Sequence, residues 1–135
     1  MTESIEIHLS PKSRGFHIIT NEVMSQLTLP KTGIFHLFIK HTSAGLTINE
    51  NADPDVLADF ESFFNKIVPE NMPFLKHTVE GPDDMPAHVK ASMVGFSISV
   101  PIVNHQLAFG TWQGIYLCEF RNQARRRSLL VTIIS

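Results

Sequence analysis

The stretch His41-Thr-Ser-Ala-Gly-Leu-Thr-Ile-Asn-Glu-Asn-Ala-Asp-Pro-Asp55 crowds a histidine, hydroxyls, two amides and three carboxylates into one short segment. Burying such groups without partners costs free energy, so they must face water or meet something polar. The mixture suits a metal or phosphate site. Two further histidines, His77 and His88, lie in similarly polar, turn-rich surroundings. Imidazole is the commonest metal-ligating side chain, and three of them can hold zinc while leaving one position open. His41, His77 and His88 are therefore the metal candidates, although no HxxxH or HxH pair sets their geometry locally. The competing reading gives each a local hydrogen bond. That reading is preferred for His8, His17, His36 and His105, which fall within strands or a turn.

Asn49, Glu50, Asn51 and Asp53 offer hard oxygen ligands of the kind magnesium takes together with substrate phosphates. Asp53 is equally explained as a helix cap. Glu50 continues the face of Leu46 and Ile48, and a buried ion pair with an arginine competes evenly with a functional role. His41, Asn49, Glu50 and His88 form the catalytic candidates. In Gly110-Thr-Trp-Gln-Gly114, glycines within a strand region suggest a bulge or a close backbone approach. Trp112 and Gln113 there suit an aromatic heterocycle, or else a core or subunit interface. Glu119 extends an apolar face and needs a partner, either a site histidine or an arginine. With Thr42 and Ser43 these make up the substrate-contact candidates: Thr42, Ser43, Trp112, Gln113 and Glu119. Arg121, Arg125, Arg126 and Arg127 could grip a phosphate, but at least two are expected to be solvated. Cys118 reads as a packed small hydrophobe. No Walker loop, Rossmann glycine pattern, GxSxG elbow or CxxC pair is present, and no organic cofactor is expected.

The elements that must position these groups follow from periodicity. Ser4 to Leu9 alternates as a half-buried strand, and Phe16 to Ile19 suggests a second. Thr20 is expected to cap a short helix through Leu27. Ile34 to His41 is the clearest strand, with Phe35, Leu37, Ile39 and His41 on one face, and Gly45 to Asn49 the next. Asp53 as N-cap and Pro54 at the first helical position open an amphipathic helix carrying Val56, Leu57, Phe60, Phe63, Phe64 and Ile67, which ends at Pro69. Residues 71 to 84 read as a loop and Pro86 to Met93 as a short helix. Phe96 to Ile102, Leu107 to Phe120 and Leu129 to Ile134 supply the last strands. A hairpin at Val103–Gln106 uses Asn104 for positive φ. The expected class is α+β, a mainly antiparallel sheet with one main amphipathic helix, in a single domain over 1–135.

The bounds are consistent with this. A chain of 135 residues supports one core. A net charge of −2 argues against a general nucleic-acid binder. One cysteine excludes an intrachain disulfide and fits a reducing compartment. Without a signal-peptide pattern or a bilayer-length apolar run, a cytoplasmic protein with no membrane association is expected.

Three motifs in order, H-T-S-A-G-L-T-I-N-E-N-A-D-P-D-V at 41–56, H-T-V-E-G-P-D-D-M-P-A-H at 77–88 and G-T-W-Q-G-I-Y-L-C-E at 110–119, closely resemble the YjbQ-type family. Its members are also called secondary thiamine-phosphate synthase enzymes, and the resemblance runs from about Gly15 to the C-terminus. It implies a compact α+β homotrimer with motif residues near subunit boundaries. It also implies a weak activity joining a hydroxymethylpyrimidine diphosphate to a thiazole phosphate with release of diphosphate. A small phosphorylated molecule would then be the partner, and a divalent ion would serve as zinc at the histidines or magnesium on the phosphates. The family's motif histidines correspond to His41, His77 and His88, and its carboxylates to Glu50, Asp53 and Glu119. The chain departs from the pattern at His105, where members usually have glycine, and at Arg-Asn-Gln-Ala-Arg after Glu119, where many have Asp-Gly-Pro-Arg.

Overall fold

In the computed structural model, which describes residues 1–135, two antiparallel sheets pack face to face and helices cover the outer face of one of them. In chain order the elements are β1 (Thr2–His8), β2 (Gly15–Ile18), α1 (Thr20–Met24), β3 (Thr32–Ile39), β4 (Ala44–Glu50), α2 (Pro54–Ile67), α3 (Asp84–Val94), β5 (Ser97–Val103), β6 (Gln106–Leu107), β7 (Gln113–Glu119) and β8 (Ser128–Ile134). The larger sheet has the order β1-β8-β3-β5-β6, the smaller β2-β7-β4. This is a mainly antiparallel α+β fold.

The period-two pattern of the strands divides the apolar residues between two cores. On β4 and β7, Ala44, Leu46, Ile115 and Leu117 face the larger sheet and join Phe35, Leu37, Ile39, Val131 and Ile133 in the main core. The alternate residues of β7, Tyr116 and Cys118, followed by Phe120, face the helices and meet Phe16, Ala87 and Ala91. Phe60 of α2 stacks on Phe16 at 5.3 Å between centroids. A side chain on β4 or β7 therefore reaches one of two quite different environments according to its parity.

Several local expectations need correction. Thr20 does not cap α1; its Oγ1 accepts from Ile115 N–H at 2.9 Å, tying the helix start to β7. The helix stops at Met24 rather than Leu27. β3 ends at Ile39, so His41 lies just beyond it. The 107–120 segment is not one strand. A turn separates β6 from β7, closed by Gln113 N–H donating to Gly110 O at 3.1 Å and Gly110 N–H donating to Gln113 Oε1 at 2.8 Å. The apolar face of α2 is only half covered: Leu57, Phe60 and Phe64 pack inward, while Phe63 and Ile67 stay exposed. Asp53 does cap α2, accepting from Asp55 N–H at 2.9 Å. The hairpin turn carries positive φ at both Asn104 and His105, the combination a type I′ turn requires.

Candidate metal centre

The 77–88 motif supplies the site. Asp83 stands at the N-cap position of α3 without a side-chain capping bond, and Asp84 is the first helical residue, where the positive end of the helix dipole favours a carboxylate. His88 lies one turn on, over Asp84. His77 arrives from the preceding loop. Asp84 Oδ2 is 2.7 Å from His77 Nε2 and 3.1 Å from His88 Nε2. One ligand atom from each residue lies within 4.8 Å of the others. Two imidazole nitrogens and one carboxylate oxygen are a donor set suited to a zinc-class ion. Ligand atoms about 2 Å from a tetrahedral ion sit about 3.3 Å apart, so only a slight opening of the cluster is required.

The surroundings orient each ligand. Arg121 donates to Asp84 Oδ1 through Nη1, to Asp83 Oδ2 through Nε at 2.9 Å and to Glu80 O through Nη2 at 3.0 Å. Asp84 therefore turns only Oδ2 toward the histidines. His88 Nδ1 donates to Thr42 O at 2.9 Å, which leaves Nε2 as the nitrogen that a bound ion would draw on. Burial alone would raise the Asp84 carboxyl. The hydrogen bond from His77 and the charges of Arg121 and His88 outweigh it and hold the group below the usual carboxylate range. The carboxylate is thus ionised, as a ligand must be.

His41 lies near this cluster but outside it. Its Nε2 accepts from Ser128 N–H at 2.8 Å. The ring proton is therefore on Nδ1, and neither nitrogen offers a lone pair to a metal. Burial lowers its pKa, the charge of Arg127 adds to this, and Glu119 opposes it. His41 and His88 still share a wall of one cleft of about 240 Å³.

The other candidates fall into two groups. Ser43 and Glu119 are committed to Arg127. Nε bonds Glu119 Oε1 at 2.7 Å, while Nη2 bonds Glu119 Oε2 at 2.6 Å and Ser43 Oγ at 3.0 Å. Of the two partners open to Glu119, the fold supplies the arginine. Asn49, Glu50, Trp112 and Gln113 gather at the opposite end of the smaller sheet, where Glu50 pairs with Gln113. The length of β4, about 20 Å, separates them from His41 within one chain. There Asn49 Oδ1 accepts from Glu50 N–H at 2.8 Å, and Glu50 Oε2 accepts from Asp53 N–H at 3.3 Å. No arginine meets Glu50. Gly114 is the close approach its motif implied, since a Cβ there would come within 2.9 Å of Asn51 Cβ. Trp112 is 63% exposed at the turn tip. Arg125 and Arg126 are exposed. His8, His17, His36 and His105 each hold a local hydrogen bond. Buried Cys118 has its thiol pushed well above its usual range by burial and the nearby Glu61 charge.

Sequence reasoning missed Asp84 and the holding role of Arg121. The signal for Asp84 was available, because Asp-x-x-x-His places a carboxylate and an imidazole on one helix face as surely as HxxxH does. Arg121 carried none, since its partners are 37 and 38 residues away.

Residues 4–135 match the family model described as "UPF0047 protein YjbQ-like". A UPF0047 protein YjbQ of Salmonella typhimurium is 48% identical over 130 residues, covering 94% of each chain. A UPF0047 protein of Synechocystis is 48% identical over 127 residues, 93% of this chain and 86% of the relative. Among solved structures, a conserved hypothetical protein of Thermus thermophilus matches with a TM-score of 0.86 at 31% identity, covering 96% of this chain and 99% of that one. A YjbQ/UPF0047 family protein of Clostridium acetobutylicum matches with a TM-score of 0.81 at 40% identity, covering 96% and 99%. By sequence along nearly its whole length, this chain belongs to the YjbQ-like UPF0047 family.

Proposed function

We propose that the chain is a metal-dependent enzyme acting on a small phosphorylated molecule, with a zinc-class divalent ion held by His77, Asp84 and His88. The observation that carries this reading is the convergence of two imidazole Nε2 atoms on one oxygen of a buried carboxylate whose other oxygen is held by Arg121. A solvated surface cluster would not need that orientation. When bound, such an ion supplies Lewis acidity toward the oxygens of a phosphoryl or leaving group. His88 and Asp84 keep their ligand atoms presented, Arg121 keeps the carboxylate fixed, and the Thr42 carbonyl sets the His88 tautomer.

The specific form of this reading is the thiamine-phosphate synthase reaction suggested by the family resemblance. Departure of diphosphate builds negative charge, which a cation stabilises. The test is to mix purified protein with both thiamine precursors and magnesium. Thiamine phosphate should form at a rate above a His88→Ala control, and none above it removes this reaction. The alternative keeps the ion and assigns another reaction or none. It predicts stoichiometric metal with no thiamine phosphate.

A homotrimer in the cytoplasm remains part of the proposal. The exposed apolar side chains Phe63, Ile67, Phe74 and Val79 on α2 and the loop after it support self-association. Light scattering during size exclusion should give three times the chain mass. No helix is long and apolar enough to cross a membrane.

A further inference from the structure

The metal cluster leaves one polar atom beside it unexplained. His41 Nδ1 has no hydrogen-bond partner within the chain, although Nε2 is fixed by Ser128 N–H. Glu61 Oε2 is the single buried side-chain polar atom without a partner, so His41 Nδ1 is open to solvent. With Nε2 accepting from Ser128 N–H, the ring proton is on Nδ1. His41 lines a cleft of about 240 Å³ between the 40–43 turn and α3. His88 lines the same cleft, and the exposed Thr42 hydroxyl lies at its edge. Ala44, Ala91 and Phe96 give it an apolar wall. The cations whose charge reaches His41 are Arg127 and Lys40. Glu119 balances Arg127, while Lys40 is only loosely paired, its Nζ 3.8 Å from Glu6.

The turn itself is rigidly held. His41 is bonded to Ser128, Thr42 O to His88, and Ser43 to Arg127. A donor on such a turn keeps its direction without a ligand, which is what pre-organised binding requires.

We infer that this cleft is the phosphate subsite of the metal-dependent site, with His41 binding one phosphate oxygen through its Nδ1–H as a neutral donor. The inference rests on the metal reading given above. It makes His41 a substrate-binding residue and excludes it as a ligand. The cleft's apolar wall would receive the organic part of the substrate.

The test uses full-length protein, zinc and inorganic phosphate. His41→Met keeps a weak acceptor for Ser128 N–H and removes the ring N–H donor without supplying another. Zinc content and phosphate affinity are measured on the same samples. The expected result is full zinc retention with phosphate affinity at least about tenfold weaker. Unchanged phosphate affinity overturns the inference, and so does loss of zinc from His41→Met, which would make His41 a ligand. In wild-type protein, nitrogen-15 NMR should show the His41 Nδ1 resonance shifting on addition of phosphate. An unmoved resonance overturns the inference even if the variant fails to fold. Zinc-free wild-type protein that cannot be loaded contradicts the metal reading instead, and the phosphate titration of that sample then decides the subsite by itself.

Discussion

Two buried carboxylates flank the turn at residues 40–43, and they are used in opposite ways. Glu119 is fully buried and Asp84 is 2% exposed. Both meet an arginine. Glu119 gives both oxygens to Arg127, and the turn closes the remainder through Ser43. Asp84 gives one oxygen to Arg121 and turns the other to two histidines at the surface. The first arrangement is self-satisfied and has nothing left to offer a ligand. The second leaves its ligand atoms crowded onto one point between an exposed His77 and a half-buried His88. Burial and charge are common to both, so neither marks a site. What marks one is coordinating capacity directed outward.

The largest effect should come from breaking the closed pair. Glu119→Ala leaves Arg127 buried without its partner and should cost about 3–5 kcal/mol in urea denaturation. Zinc bound per folded chain should be unchanged, which separates this pair from the metal centre. The open cluster should respond the other way. Arg121→Gln frees the Asp84 carboxylate to rotate and should weaken zinc binding about 10–100-fold in a chelator competition, as loss of an outer-shell partner typically does. Asp83 and Asp84 lose a counter-ion as well, so a smaller stability loss accompanies it.

A third effect, smaller again, separates His41 from both clusters by pH. Burial, then the Arg127 charge, holds His41 below the ordinary imidazole value of 6.5, against Glu119. The unfolded chain therefore takes up that proton more readily than the folded one. The stability this contributes is present above the unfolded value and is lost as pH falls through the folded value. His41→Gln lacks this contribution, so its stability curve should be flatter on the acid side of pH 6.5 than that of wild type. The smallest effect is a control remote from both carboxylates. Asp53→Ala removes the α2 cap and should cost about 1 kcal/mol with no change in zinc or phosphate binding.

Legibility in the sequence followed the range of the interaction. Alternation in Phe35, Leu37 and Ile39, and the Asp53-Pro54 start of α2, are local signals, and both elements form. The paired positive φ of Asn104 and His105 was half visible, because asparagine advertises that conformation and histidine does not. The turn at Gly110–Gln113 was hidden because a side-chain acceptor, Gln113 Oε1, helps to close it. At the site, His77 and His88 were legible by residue type. Asp84 was obscured by the ordinary carboxylates around a helix start, and Arg121 by its distance along the chain. Parity puts Glu50 in step with Leu46 and Ile48 on β4, yet its carboxylate meets the Asp53 N–H at the start of α2, and parity says nothing about position along the strand. The length of β4 is what separates Glu50 from His41.

The most direct measurement is elemental analysis of purified protein beside its single-ligand variants. Wild type should carry about one zinc-class ion per chain, retained in His41→Gln and lost in His77→Ala, Asp84→Asn and His88→Ala. Wild-type protein that neither carries nor takes up such an ion, or a His88→Ala variant that holds it as tightly as wild type, would contradict the metal reading.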